Sequence, residues 1–129
     1  MLINGILNPH INSLLARVRH TNVLVIADRG FPYWPMIETV DISLVDGIPT
    51  VLQVFDAIRQ NFEIGDIFMA QEFKDANSPE VCQALTRAAA LINLSFEPHI
   101  ELKKRVPGAI GLIRTADTIQ YANMILESA

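Results

Sequence analysis

Cysteine is almost missing from this chain. Cys82 is the only one among 129 residues, so no internal disulfide can form, and a reduced, cytoplasmic setting is expected. No apolar run approaches the roughly 18 residues that a membrane-spanning helix needs. The opening Met1-Leu2-Ile3-Asn4-Gly5 lacks the charged start and long apolar stretch of a secretory signal. Lysine and arginine number 10 against 14 acidic residues and form no long run, so nucleic acid is not an expected partner. Glycine-rich loops are absent as well. Gly30 stands alone after an apolar run, and both the dinucleotide fingerprint and the Walker pattern fail. The three histidines, His10, His20 and His99, lie far apart without ligand spacing, so no metal site is indicated and no cofactor is expected. No serine sits in a nucleophile-elbow context.

Apolar residues, by contrast, make up 50% of the chain. A chain of this length forms one domain, residues 1–129, and buries about two-thirds of its unfolded surface. So large an apolar share on a small domain points to further cover by other subunits.

The most informative stretch is Val23 to Ala27. Five apolar residues rich in β-branching, bounded by His20-Thr21-Asn22 and Asp28-Arg29-Gly30, read as a strand buried on both faces. Such strands belong to parallel sheets covered by helices. Asp28 falls at the carboxyl end of this strand, where open α/β sheets bind their ligands. Before it, Asn8-Pro9 predicts a helix start. Ile11, Leu14, Leu15 and Val18 follow with one-face spacing, and the helix should end near Arg19, leaving His20 at its edge.

After the strand, Phe31-Pro32-Tyr33-Trp34-Pro35 reads as an ordered loop. Glu38 to Leu44 reads as a second strand and Asp46-Gly47-Ile48-Pro49 as a turn. Thr50 should cap a helix carrying Val51, Val54, Phe55, Ile58 and Phe62 inward. A short strand, Ile67 to Ala70, comes next. Ser78-Pro79-Glu80 then opens a helix with Val81, Leu85, Ala88 and Ile92 on its inner face. Leu94 to Phe96 reads as a strand edge, Ile100 to Val106 as a short helix, and Ala109 to Arg114 and Tyr121 to Leu126 as strands. This alternation predicts a three-layer α/β/α domain around a largely parallel central sheet.

The polar residues at element ends are His20, Asp28, His99, Arg114, Tyr121 and Asn123. Imidazole, carboxylate, phenol and amide groups suit a hydroxyl-rich ligand, and histidine suits proton transfer near neutral pH. Each residue also has a plain structural use. His20 could end a helix, Asp28 could cap its loop and His99 could start a helix. Tyr121 could be a half-buried strand aromatic, and Asn123 could satisfy a turn. His10 reads as structural and Cys82 as a small buried hydrophobe. Trp34 suits either a sugar ring or a subunit contact.

Five stretches, taken in order, point to a family. Gly5-Ile6-Leu7-Asn8-Pro9-His10, His20-Thr21, Ile26-Ala27-Asp28, Ile113-Arg114-Thr115 and Tyr121-Ala122-Asn123 together resemble the D-ribose pyranase and L-fucose mutarotase family, the ribose branch more closely. The resemblance spans nearly the whole chain. It implies a metal-free enzyme that interconverts ring forms of a free monosaccharide. By the same resemblance, His20 is the proton donor, Asp28 binds substrate, and His99, Tyr121 and Asn123 complete the sugar site. It also implies a ring-shaped homo-oligomer, often a decamer, with sites near subunit boundaries. Three places depart from the ribose pattern. Arg29 replaces a small residue, Thr115-Ala116-Asp117 replaces Thr-Gly-Glu, and the Tyr33-Trp34-Pro35 loop is unexpected. These bear on which sugar is used more than on the chemistry.

Ring interconversion needs an acid for the ring oxygen and a base on the anomeric side; no cofactor enters. General acid–base catalysis typically supplies about 10² to 10⁴-fold. The alternative is a non-catalytic sugar-binding accessory module for uptake, which needs the same polar site but no titrating group at His20. A purely structural ring-forming subunit is a third reading. If the Val23 to Ala27 strand is straight, it is roughly 16 Å long. His20 and Asp28 then mark opposite ends, and one sugar can touch both only if His20 comes from a neighbouring subunit or its loop folds over the sheet edge.

Overall fold

Asn8 opens the first helix with its side chain. In the computed structural model, which describes residues 1–129, its Oδ1 accepts from the backbone N–H of His10 at 2.9 Å and of Ile11 at 3.1 Å. Helix α1 then runs Pro9–Arg17 and buries Ile11 and Leu14. It stops two residues short of Arg19 because Val18 is already extended. Thr50 caps α2 (Val51–Arg59) through a capping box with Gln53, and Ser78 caps α4 (Pro79–Ala88). Phe62 and Ile92 lie beyond these two helices but still pack against the core. A further short helix, α3 (Glu72–Ala76), was not expected; Phe73 is its only buried residue, too little to give a periodic signal. Helix α5 is His99–Arg105, followed by a 3₁₀ turn at Val106–Gly108.

Six strands form one sheet in the order β2-β5-β1-β6-β3-β4. They are β1 (Val23–Ala27), β2 (Glu38–Asp41), β3 (Ile64–Ala70), β4 (Asn93–Glu97), β5 (Gly111–Arg114) and β6 (Met124–Ser128). β2 ends three residues before Leu44, which is exposed. The β1–β5, β2–β5 and β3–β4 pairs are parallel. β6 runs antiparallel to both neighbours, β1 and β3. The reason lies in its connection. Residues 115–123 contain no helix, and a parallel crossover needs about a dozen residues or more.

β1 is buried on both faces, as its composition predicts. Leu24 and Ile26 join the core under α1, α2 and α4, while Val25 and Ala27 join the core under α5. Helices therefore cover both sides of the sheet, and the α/β/α layering holds. The reversed β6 has a consequence for the site. Met124 pairs with Ile26, so the beginning of β6 lies beside the end of β1. The ends of β3 and β4 reach the same edge of the sheet.

Candidate functional site

At that edge the chain gathers its polar groups. Asp28 follows β1, Glu72 follows β3, His99 follows β4, and Tyr121 and Asn123 precede β6. A cavity of about 310 Å³ opens there, lined by Asp28, His99, Tyr121 and Asn123 together with Gly30, Phe31, Pro32 and Gln120. Its size is at the small end of ligand pockets, roughly 300–1,000 Å³. Four of the five sequence-predicted site residues are thus brought together.

Asp28 is the fixed point. Gly30 N–H donates to its Oδ1 at 2.9 Å, and Asn123 Nδ2 donates to its Oδ2 at 3.1 Å. Asn123 Oδ1 in turn accepts from the Asp28 backbone N–H at 2.7 Å. The two residues, 95 positions apart in sequence, are locked as a pair. Burial raises the Asp28 carboxyl above its ordinary value; hydrogen bonds from Gly30, Asn123 and Phe31 pull the other way, and the nearby Asp117 adds to the rise. Asn123 is only 2% exposed.

His99 begins α5, and its backbone N–H donates to both carboxylate oxygens of Glu72, at 3.0 and 3.1 Å. The imidazole stands edge-on to the Tyr121 ring, centroids 5.1 Å apart, and to Phe31 at 6.2 Å. Its Nδ1 is buried without a partner. Charging the ring would bury an unpaired N–H there, a costly arrangement. Burial and the Lys103 ammonium accordingly lower the His99 pKa, against the opposing pull of Glu72 and Asp28. Both effects favour the neutral imidazole over the charged one.

Tyr121 lies in a turn with φ +57°, not in a strand as its sequence neighbours suggest. Arg114 does not line the cavity. Its guanidinium donates to the backbone carbonyls of Asp28, Arg29 and Pro32 at 3.2–3.3 Å, clamping the loop that forms one wall. Arg29 pairs with Asp46 on the surface at 2.7 Å. Trp34 packs against Phe31, centroids 6.2 Å apart, and does not line the cavity. His10 and Cys82 are both outside the cavity, the first exposed and the second half-buried.

His20 is the residue that the fold keeps away. It is exposed and precedes β1, whereas Asp28 follows it. The next residue, Thr21, donates its N–H to the carbonyl of Ser128, at the far end of β6. Sequence reasoning missed Gln120, Phe31, Pro32, Gly30 and Glu72. The Phe31-Pro32 loop was legible as ordered, but nothing local marks it as a cavity wall.

A family model described as the RbsD / FucU transport protein family matches residues 1–129. The chain belongs to that family. A D-ribose pyranase of Geobacillus kaustophilus (strain HTA426) is 39% identical over 125 residues, 97% of this chain and 91% of that protein. The D-ribose pyranase of Lactobacillus johnsonii is 32% identical over 124 residues, 96% of this chain and 94% of the relative. Among solved structures, Bacillus subtilis RbsD complexed with D-ribose superposes with a TM-score of 0.93 at 30% identity, covering 100% of this chain and 98% of that one. The fucose mutarotase of Streptococcus pneumoniae in complex with L-fucose shares the fold at 17% identity with a TM-score of 0.79, covering 95% and 92%.

Proposed function

We propose that this protein is an isomerase that interconverts ring forms of a free monosaccharide, with ribose first among the candidates. The observation that carries this reading is the convergence of Asp28, His99, Tyr121 and Asn123 on one polar cavity, in a chain 39% identical to a D-ribose pyranase. Their sequence separation leaves no local reason for them to meet.

A cyclic hemiacetal opens when its ring oxygen is protonated and the anomeric hydroxyl gives up its proton. Closure through another hydroxyl, or on the other carbonyl face, gives the new ring or anomer. Asp28, held by Asn123 and Gly30, anchors a sugar hydroxyl. Tyr121 offers its phenol as donor or acceptor. The neutral His99 offers a hydrogen bond without a competing charge.

The acid is His20, taken from a second copy of the chain. Within one copy His20 and Asp28 flank opposite ends of a five-residue strand, about 16 Å. A ring of copies, taken here as a decamer, brings one copy's His20 to the next copy's cavity. Exposed Leu2, Ile3, Leu7, Leu44, Val45 and Ile48 are the surfaces such a ring covers. A cytoplasmic location fits the unpaired Cys82 and the absence of any helix long and apolar enough to cross a membrane.

Saturation-transfer NMR on ribose, fucose and related free sugars tests the proposal. Ring-form exchange faster with protein than without is the expected result for at least one sugar. A protein that binds a sugar and accelerates none overturns the isomerase reading in favour of an uptake accessory module.

A further inference from the structure

The cavity wall contains two side-chain amides, and they are in different situations. Asn123 is 2% exposed, and both ends of its amide are committed to Asp28. Gln120 is exposed, lines the same cavity, and no hydrogen bond within the chain engages its side chain. Its backbone, however, is held in place. Asn77 Nδ2 donates to the Gln120 carbonyl at 2.9 Å and to the Phe73 carbonyl at 2.8 Å, tying the site loop to the end of α3. Tyr121, next in the chain, fixes the turn with its left-handed backbone. Gln120 thus combines a fixed backbone at the cavity with an amide that no group of the chain engages, which suits it to bind a sugar hydroxyl. The amide offers two N–H donors and a carbonyl acceptor, so it can match a hydroxyl in either sense.

We infer that Gln120 is a specificity-determining residue that contacts a ring hydroxyl of the bound monosaccharide and discriminates sugars epimeric at that carbon. The inference rests on the sugar-site reading above and adds a residue that no local pattern singles out. Asn123, in this division of labour, positions Asp28, and Gln120 supplies the free amide. Asp28 and Tyr121 anchor any sugar of the right size; Gln120 separates one epimer from another.

The test is calorimetric titration of wild type, Gln120→Ala and Gln120→Met with a panel of free pentoses and hexoses that includes epimeric pairs. Exchange rates for the same sugars are measured by NMR. Gln120 is exposed and contributes no internal side-chain bond, so both variants should melt with wild-type cooperativity. The expected result is a loss of about two- to tenfold in affinity for the preferred sugar, the equivalent of one neutral hydrogen bond. Affinity for its disfavoured epimer should change less, so that selectivity narrows in both variants. Wild-type selectivity retained in both variants overturns the role of Gln120 while leaving the sugar site intact. A wild type that binds no sugar on the panel overturns both.

Discussion

Asn123 sits one residue before a strand, yet its amide works sideways, on a carboxylate 95 positions away. That arrangement separates two variants that the sequence alone treats alike. Tyr121→Phe removes a phenolic hydroxyl from the cavity and leaves the ring packed on His99. It should weaken sugar binding by about 0.5–1.5 kcal/mol with little change in stability. Asn123→Ala removes both hydrogen bonds that Asn123 makes with Asp28, at a buried position. It should cost binding and also lower folding stability by about 1–3 kcal/mol, the penalty for buried groups left unpaired. Calorimetry with sugar and urea denaturation without it check both; equal stability of the two variants would contradict the assigned role of Asn123.

His99 gives a pH signature of definite sign. Its folded-state pKa is lowered, so between that value and the ordinary imidazole value of about 6.5 the unfolded chain binds more protons. Stability contributed by His99 therefore rises with pH across that window and levels off above it. Asp28 acts in the opposite sense. Its folded pKa is raised, so its contribution falls as pH rises from the ordinary carboxylate value through the raised one. Urea titrations of wild type and His99→Gln between about pH 5 and 7 should show a shallower rise in the variant. An identical slope would mean that the imidazole is not held neutral.

At the scale of elements, β1 and α1 were legible in the sequence because their signals are local. A five-residue apolar run rich in β-branching and bounded by turn residues reads as a doubly buried strand, and Asn8-Pro9 supplies both cap and first turn. The errors have physical causes as well. α3 escaped because a single buried phenylalanine makes no period. Tyr121 was read into a strand because apolar residues follow it, whereas its left-handed turn is what aims it at the cavity. The antiparallel direction of β6 was not legible, so periodicity and spacing gave no route by which residues 28, 99, 121 and 123 meet; only the family resemblance implied that they share a site. The packing of α1 on β5 can be tested at Gly111. A Cβ there would lie 2.6 Å from Leu14 Cδ1 and 3.1 Å from the Glu38 carbonyl. Gly111→Ala should destabilise the protein by about 1–3 kcal/mol through overpacking. Unchanged urea denaturation would contradict that contact.

At the scale of the whole molecule, one copy brings Asp28, His99, Tyr121 and Asn123 to one cavity and leaves His20, the proposed acid, outside it. Exposed apolar side chains and the distance from His20 to Asp28 lead to the same expectation, an assembly whose sites are shared. Light scattering behind a sizing column should give a multimer, a decamer on the present reading; a monodisperse monomer at micromolar concentration would contradict it. The sharpest test measures sugar ring-form exchange by saturation-transfer NMR for wild type, His20→Ala, Asp28→Ala and a co-refolded mixture of the two variants. Each variant alone should form the assembly and lose most exchange. The mixture should regain activity, because some sites then pair an intact His20 with an intact Asp28 from different copies. Exchange in His20→Ala as fast as in wild type, or a mixture no more active than its components, would contradict the shared site.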